Sequence, residues 1–213
     1  MEAPEIPTPR GSWPKSPTQE LTGKARPVLA LLGVLETRYR DLTDHGRKVG
    51  AYARALARRF GLDEDRLELA GRLHDVGKVA VPETVLLKPA PLTPEEWRLV
   101  KRHPEVGAQL LFEAELDDIA NWVLTHHERP DGNGYPYGLD DAAITLEAKI
   151  LSVVDAFDAM TNDRVYQSAK STRSAVAELL SGAGCQFDDA VVEAFVDTAE
   201  RREPRNQMPL ASA

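Results

Sequence analysis

Apolar residues along the chain recur at the spacing of one helix face. Val28, Leu31, Leu32 and Leu35 share a face from about Lys24 onward, and Val49, Tyr52, Ala53 and Leu56 repeat the pattern. A third helix is predicted after Asp63, Glu64 and Asp65, whose charges complement a helix N-terminus. It carries Leu69, Ala70 and Leu73, with Gly77 as its terminator. Thr93-Pro94-Glu95-Glu96 reads as a capping box with proline in the first turn, opening a helix with Trp97 and Val100; Pro104 then restarts the chain. Ile119, Ala120, Val123 and Leu124 form the next stripe, which ends at His126 and His127 before a Gly-, Pro- and Asp-rich loop from Glu128 to Asp141. Helices follow over about Thr145–Thr161, Thr172–Leu180 and Asp188–Arg201. No stretch alternates with the period of a strand, and no internal repeat is visible, so the expected fold is all-α.

Five prolines between Pro4 and Pro17 punctuate a polar opening, which predicts an unstructured tail over residues 1–23, one helical domain over 24–203 and a flexible tail over 204–213. The opening is too short to fold as a receiver or sensory domain, so none is expected. A formal charge of −8 argues against binding a nucleic-acid polymer, which needs cationic surface to displace counterions. Cys185 is the only cysteine, which excludes an intrachain disulfide and fits a reducing compartment. The longest apolar run, around Val28 to Leu35, is too short to span a bilayer, and no signal-peptide pattern opens the chain; the expected location is cytoplasmic.

The chemistry sits in the histidines. All five, His45, His74, His103, His126 and His127, stand near helix ends or in line with an apolar face. Each alone reads most simply as a half-buried, hydrogen-bonded histidine; the set does not. Imidazole with carboxylate suits a transition metal, whereas calcium and magnesium sites are built from oxygen. His74-Asp75 supplies both donor types within one turn, and a carboxylate can bridge two metals about 3.5–4 Å apart, the usual clamp for displacement at phosphorus. Lys78, one turn on, brings a cation that could neutralise a phosphate oxygen or protonate a leaving ribose oxygen; otherwise it is a lysine favourable to a helix C-terminus. Asp155 lies one turn after Leu151 on a core-facing stripe, where an unpaired carboxylate is costly.

His74-Asp75-Val76-Gly77-Lys78 resembles the HD-x-GK signature of HD-domain phosphohydrolases. His126-His127-Glu128, followed by Asp131-Gly132-Asn133-Gly134-Tyr135-Pro136, resembles the HHE-x-x-DG-x-GYP signature of the HD-GYP subfamily. With Thr93–Glu96 between them and Asp155–Thr161 after, the likeness covers about Leu42 to Phe195. It implies a helical HD-type domain with a metal site at its centre. The implied ligands are His45, His74, Asp75, His103, His126, His127 and Asp155, with Asp75 bridging. The implied substrate contacts are Lys78, Tyr135, Asp158 and Arg164, and the implied catalytic groups Asp75 and Lys78. Gly132, Gly134 and Gly138 would give the loop positive φ and close approach to a ligand. The implied activity is metal-dependent hydrolysis of cyclic di-GMP to linear pGpG or on to GMP, with iron or manganese as the metal. Two departures stand out: Gln167 replaces a basic residue of the family pattern, and Asp41 stands where some members carry a third-metal glutamate, leaving the count at two or three. A non-catalytic dinucleotide sensor and a hydrolase of another nucleotide are the alternatives. Signalling proteins and a second copy of the chain are the macromolecular partners left open.

Overall fold

The computed structural model describes residues 27–28, 30–33, 40–162 and 169–202, with side chains from 44 onward in the second helical stretch and up to 198 at the end. The predicted tails, together with Arg164 and Gln167, lie outside the described residues, as does the side chain of Asp41.

The described residues are helical, and among them no strand occurs. Helix α1 (Arg40–Phe60) is followed by α2 (Glu64–Leu73), a 3-10 turn (Val76–Ala80), the short α3 (Glu83–Leu86), α4 (Pro94–Val100), α5 (His103–Glu113) and α6 (Asp117–Thr125). A second 3-10 turn (Asp141–Ala143) precedes α7 (Leu146–Thr161), α8 (Thr172–Gly182) and α9 (Asp189–Arg202). The all-α expectation holds, and the starts follow the capping chemistry. The Asp63 carboxylate accepts from the amides of Asp65 and Arg66. Thr93 and Glu96 form the reciprocal capping box. Thr145 and Ser171 cap α7 and α8.

Helix α7 is the axis of the domain: Ile150, Leu151, Val153, Val154 and Phe157 are all buried, too wide an arc for a surface helix. It touches α1, α2, α6, α8 and α9. Tyr52 of α1, Phe157 of α7 and Phe195 of α9 close one side with ring centroids 4.7–5.6 Å apart. One continuous core results, running from Val28 and Leu32 to Phe195.

Gly77 departs from expectation. Helix α2 ends at Leu73, with His74 as its C-cap, and Gly77 lies inside the following 3-10 turn. A Cβ there would stand 2.0 Å from the His103 carbonyl oxygen and 2.5 Å from the Gly107 amide nitrogen. The glycine therefore lets the 3-10 turn and α5 touch backbone to backbone, which draws His103 towards His74. Gly77→Ala is expected to destabilise the protein by about 3 kcal/mol or more, above ordinary overpacking because rigid backbone must yield. Urea unfolding measures it; an unchanged midpoint would show that the two segments can separate freely.

Candidate metal centre

Six of these elements deliver a donor to one place. His45 comes from α1, His74 from the C-cap of α2, Asp75 from the start of the 3-10 turn, His103 from the first residue of α5, His126 and His127 from the end of α6, and Asp155 from α7. Their ligand atoms form three overlapping sets, each within 4.8 Å: His45, His74 and Asp155; His74, Asp75 and His126; and His103, His126 and His127. All seven expected ligands with described side chains are thus brought together.

The orientation of the rings has a local cause. His74, His103 and His126 each follow a helical turn whose last carbonyls lack intrahelical partners. Each Nδ1 lies 2.6–2.8 Å from the carbonyl oxygen three residues earlier, on Gly71, Val100 and Val123. With Nδ1–H donating to those carbonyls, each Nε2 presents its lone pair. The Nε2 atoms of all three are buried and have no hydrogen-bond partner among the described residues. Three converging, unsatisfied acceptors beside two carboxylates are costly unless a cation joins them, so these residues fit a divalent transition metal.

Asp75 spans the cluster. Its Oδ2 is 3.4 Å from His74 Nε2 and 3.9 Å from His45 Nε2, while its Oδ1 is 3.3 Å from His103 Nε2. Lys78 Nζ lies 2.5 Å from Oδ2. Burial opposes its ionisation, but Lys78 and the surrounding imidazoles hold the Asp75 carboxyl well below the usual range. Asp155 behaves alike: burial acts against it, and the hydrogen bond from His45, at 3.0 Å, lowers it.

Burial sets the histidines apart. It pulls His103 down to about 4 and His127 to about 3, with Asp75 and Asp155 respectively opposing the fall. On His45 burial is outweighed by Asp155 and Asp158, which raise it to about 9. These shifts fix how the metal-free protein responds to pH. His103 and His127 are harder to protonate folded than unfolded, so stability falls as pH drops below 6.5 towards 3. His45 binds its proton more tightly when folded, so its contribution is full below 6.5 and lost as pH rises through about 9. Chelator-treated protein should therefore melt highest near neutral pH, with Tm falling on the order of 10 °C towards pH 4. Thermal melts followed by circular dichroism measure this; a flat profile would mean the rings are solvated.

The other expected residues are placed as follows. Tyr135 stacks on His127, with ring centroids 4.6 Å apart and an interplanar angle of 27°. Asp158 is 2% exposed and its Oδ2 lies 2.7 Å from His45 Nδ1, so its carboxylate is turned to the metal cluster's outer side. In the Gly-rich loop Gly132 and Gly138 have positive φ, as expected, but Gly134 does not. A Cβ on Gly134 would stand 2.4 Å from Glu128 Cα, so that glycine serves the loop's own packing.

Two residues were given no role from the sequence. Glu128, 2% exposed, accepts from the Tyr137 amide at 2.6 Å and the Leu139 amide at 3.0 Å, tying the loop down from inside. The one available signal was the loop itself, since a Gly- and Pro-rich segment leaves amides that need an acceptor. Lys101 holds its Nζ 5.2 Å from the centroid of the Tyr135 ring, at the edge of the cluster. Nothing in its helical position announced that.

The family model of the HD domain matches residues 30–191, most of the chain. The chain belongs to the HD domain family. This agrees with the resemblance of its His74-Asp75 motif and with the helical fold. Among curated family relatives, a cyclic di-GMP phosphodiesterase of Thermotoga maritima is 38% identical over 177 residues, 79% of this chain and 48% of the relative. A cyclic di-GMP phosphodiesterase response regulator of Xanthomonas campestris pv. campestris is 42% identical over 165 residues, 74% of this chain and 44% of the relative. The chain thus spans less than half the length of these two relatives. Bd1817, a HDG"Y"P protein of Bdellovibrio bacteriovorus, matches in structure with a TM-score of 0.61 at 24% identity, over 75% of this chain and 52% of that one, a likeness of fold. Among the described residues no helix is long and apolar enough to cross a membrane.

Proposed function

We propose that this HD domain is of the HD-GYP type and hydrolyses a phosphodiester bond of a cyclic dinucleotide, cyclic di-GMP first, to the linear dinucleotide. The observation that carries this is the convergence of three buried, unpartnered histidine Nε2 atoms on two ionised carboxylates. His45, His74, Asp75, His103, His126, His127 and Asp155 would hold two ions, iron or manganese, and Asp41, four residues before His45 in the sequence, is the candidate ligand of a third. When bound, such ions supply Lewis acidity at a phosphoryl oxygen and a water acidic enough to attack at neutral pH.

The chain's own groups do the rest. Lys78 is held by Asp75 at the edge of the cluster, where its ammonium can neutralise a non-bridging phosphate oxygen or give a proton to the departing ribose oxygen. The Tyr135 ring, half of a stack with His127, offers its face and edge to the nucleotide, and Lys101 above it adds a second cation for phosphate. Glu128 holds the loop that carries Tyr135. Arg164 joins them as a bidentate phosphate contact in this reading. The two cyclic di-GMP phosphodiesterases named above, 38% and 42% identical over 79% and 74% of this chain, support cyclic di-GMP as the first substrate to test.

The test is hydrolysis by the purified chain loaded with Fe(II) or Mn(II), with cyclic di-GMP beside other cyclic dinucleotides and mononucleotides, and His74→Ala and Asp75→Ala as controls. Release of linear dinucleotide or GMP, lost in both variants, is the expected result. Metal retention with dinucleotide binding but no turnover would replace the enzyme by a sensor. Turnover of a different nucleotide alone would overturn the substrate.

A further inference from the structure

The centre is not symmetric. Two of its donor sets, His45–His74–Asp155 and His103–His126–His127, lie on opposite sides of Asp75, which turns one carboxylate oxygen to each. Asp75 therefore serves both halves. Asp155 lies against the His45 side, although its charge also reaches His127, and Asp158 meets His45. Asp155 Oδ1 lies 3.0 Å from His45 Nε2 and 3.8 Å from His74 Nε2. Behind the same ring, Asp158 Oδ2 lies 2.7 Å from His45 Nδ1, and Asp158 is almost fully buried.

The histidines of the other half have neutral supports. His103 and His126 lean on the backbone carbonyls of Val100 and Val123. His127 stacks on Tyr135 and packs against His126, with centroids 3.9 Å apart. An imidazole that donates to a carboxylate is a more basic ligand than one that donates to an amide carbonyl, because the anion stabilises positive charge on the ring. Lys78 offsets part of the Asp75 charge, but Asp155 and Asp158 still leave the His45 side with the more anionic surroundings.

We propose that Asp158 is a positioning residue which makes the His45–His74–Asp155 half the tight metal site, so that the first divalent ion binds there and the ion at His103–His126–His127 is held weakly and lost first. Asp158 then acts through His45 without touching substrate. The inference rests on the metal-centre part of the proposed function and is independent of which nucleotide is hydrolysed.

The probe is Mn(II) titrated into the chelator-stripped full chain, followed by calorimetry and by electron paramagnetic resonance. Two classes of site are expected, their Kd values differing at least about tenfold. The first equivalent should give an isolated Mn(II) spectrum, and the second should broaden it by coupling to a neighbour. Asp158→Asn should weaken the tight class by about 10- to 100-fold. His127→Ala, which leaves the His45 side intact, should remove the weak class alone. Two indistinguishable sites in the parent chain, or an Asp158→Asn effect confined to the weak class, would overturn the inference while leaving the metal centre standing. Failure of the parent chain to bind Mn(II) or Fe(II) at all would overturn the metal centre itself.

Discussion

Asp75→Asn is expected to lower the proposed hydrolysis of cyclic di-GMP by the metal-loaded chain by about a thousandfold or more. The amide has nearly the shape of the carboxylate, so the loss reports charge and not packing. Asp75 turns an oxygen to each half of the cluster, Oδ1 towards His103 and Oδ2 towards His45 and His74. Its replacement also strips Lys78 Nζ of the anion 2.5 Å away. Both consequences fall on the same site, so metal content measured by elemental analysis should fall along with the rate. Lys78→Ala provides the contrast, because it removes the cation and leaves every proposed ligand in place. It should retain metal and lose activity by a smaller factor, on the order of 10²–10³. An Asp75→Asn protein within tenfold of the parent rate would remove Asp75 from the mechanism.

The second large effect is on stability. Glu128→Ala should cost about 3–6 kcal/mol, the sum of two hydrogen bonds to a buried carboxylate at about 1.5–3 kcal/mol each. The amides of Tyr137 and Leu139 would be left without their acceptor in a part-buried setting. Because Gly134 packs on Glu128 Cα, and the Tyr135 amide donates to the His127 carbonyl, the loop around Tyr135 should loosen as a unit. Glu128→Gln keeps one acceptor oxygen and turns an NH2 group towards the other amide, so it should show roughly half the loss. Denaturant midpoints give the stabilities. In Glu128→Gln at low temperature the affinity for dinucleotide should weaken more than metal binding does. A Glu128→Ala protein as stable as the parent to within 1 kcal/mol would mean that water replaces the carboxylate, and the loop would then owe its shape to its glycines and prolines.

Much of the domain was legible in the chain because helices are written locally. The stripe Val49–Ala53–Leu56 is buried on α1, the acidic run at Asp63 caps α2, and Thr93 to Glu96 forms its box where the pattern placed it. Each depends on residues within one or two turns, where sequence spacing and spatial neighbourhood coincide. The short α3 and the 3-10 turns carried no such signal, having too few residues to show a period. The donor set was legible for a related reason. Histidines that close helices at His74 and His126 orient themselves on their own last carbonyls, whatever the rest of the chain does.

What the sequence by itself determined, then, is the helices, their caps and the inventory of metal-ligating groups, all of them consequences of chemistry within a few residues. Only the tertiary structure decided which groups face one another. His45 and Asp158 are 113 positions apart, and Asp158 shares α7 with Asp155, one carboxylate meeting each nitrogen of the same ring. The inward turn of Glu128, the approach of Lys101 to Tyr135 and the backbone contact at Gly77 likewise depend on how helices cross. A hydrophobic stripe specifies which face of a helix is buried but leaves the partner, the crossing angle and the height along the axis to the packing of the whole core.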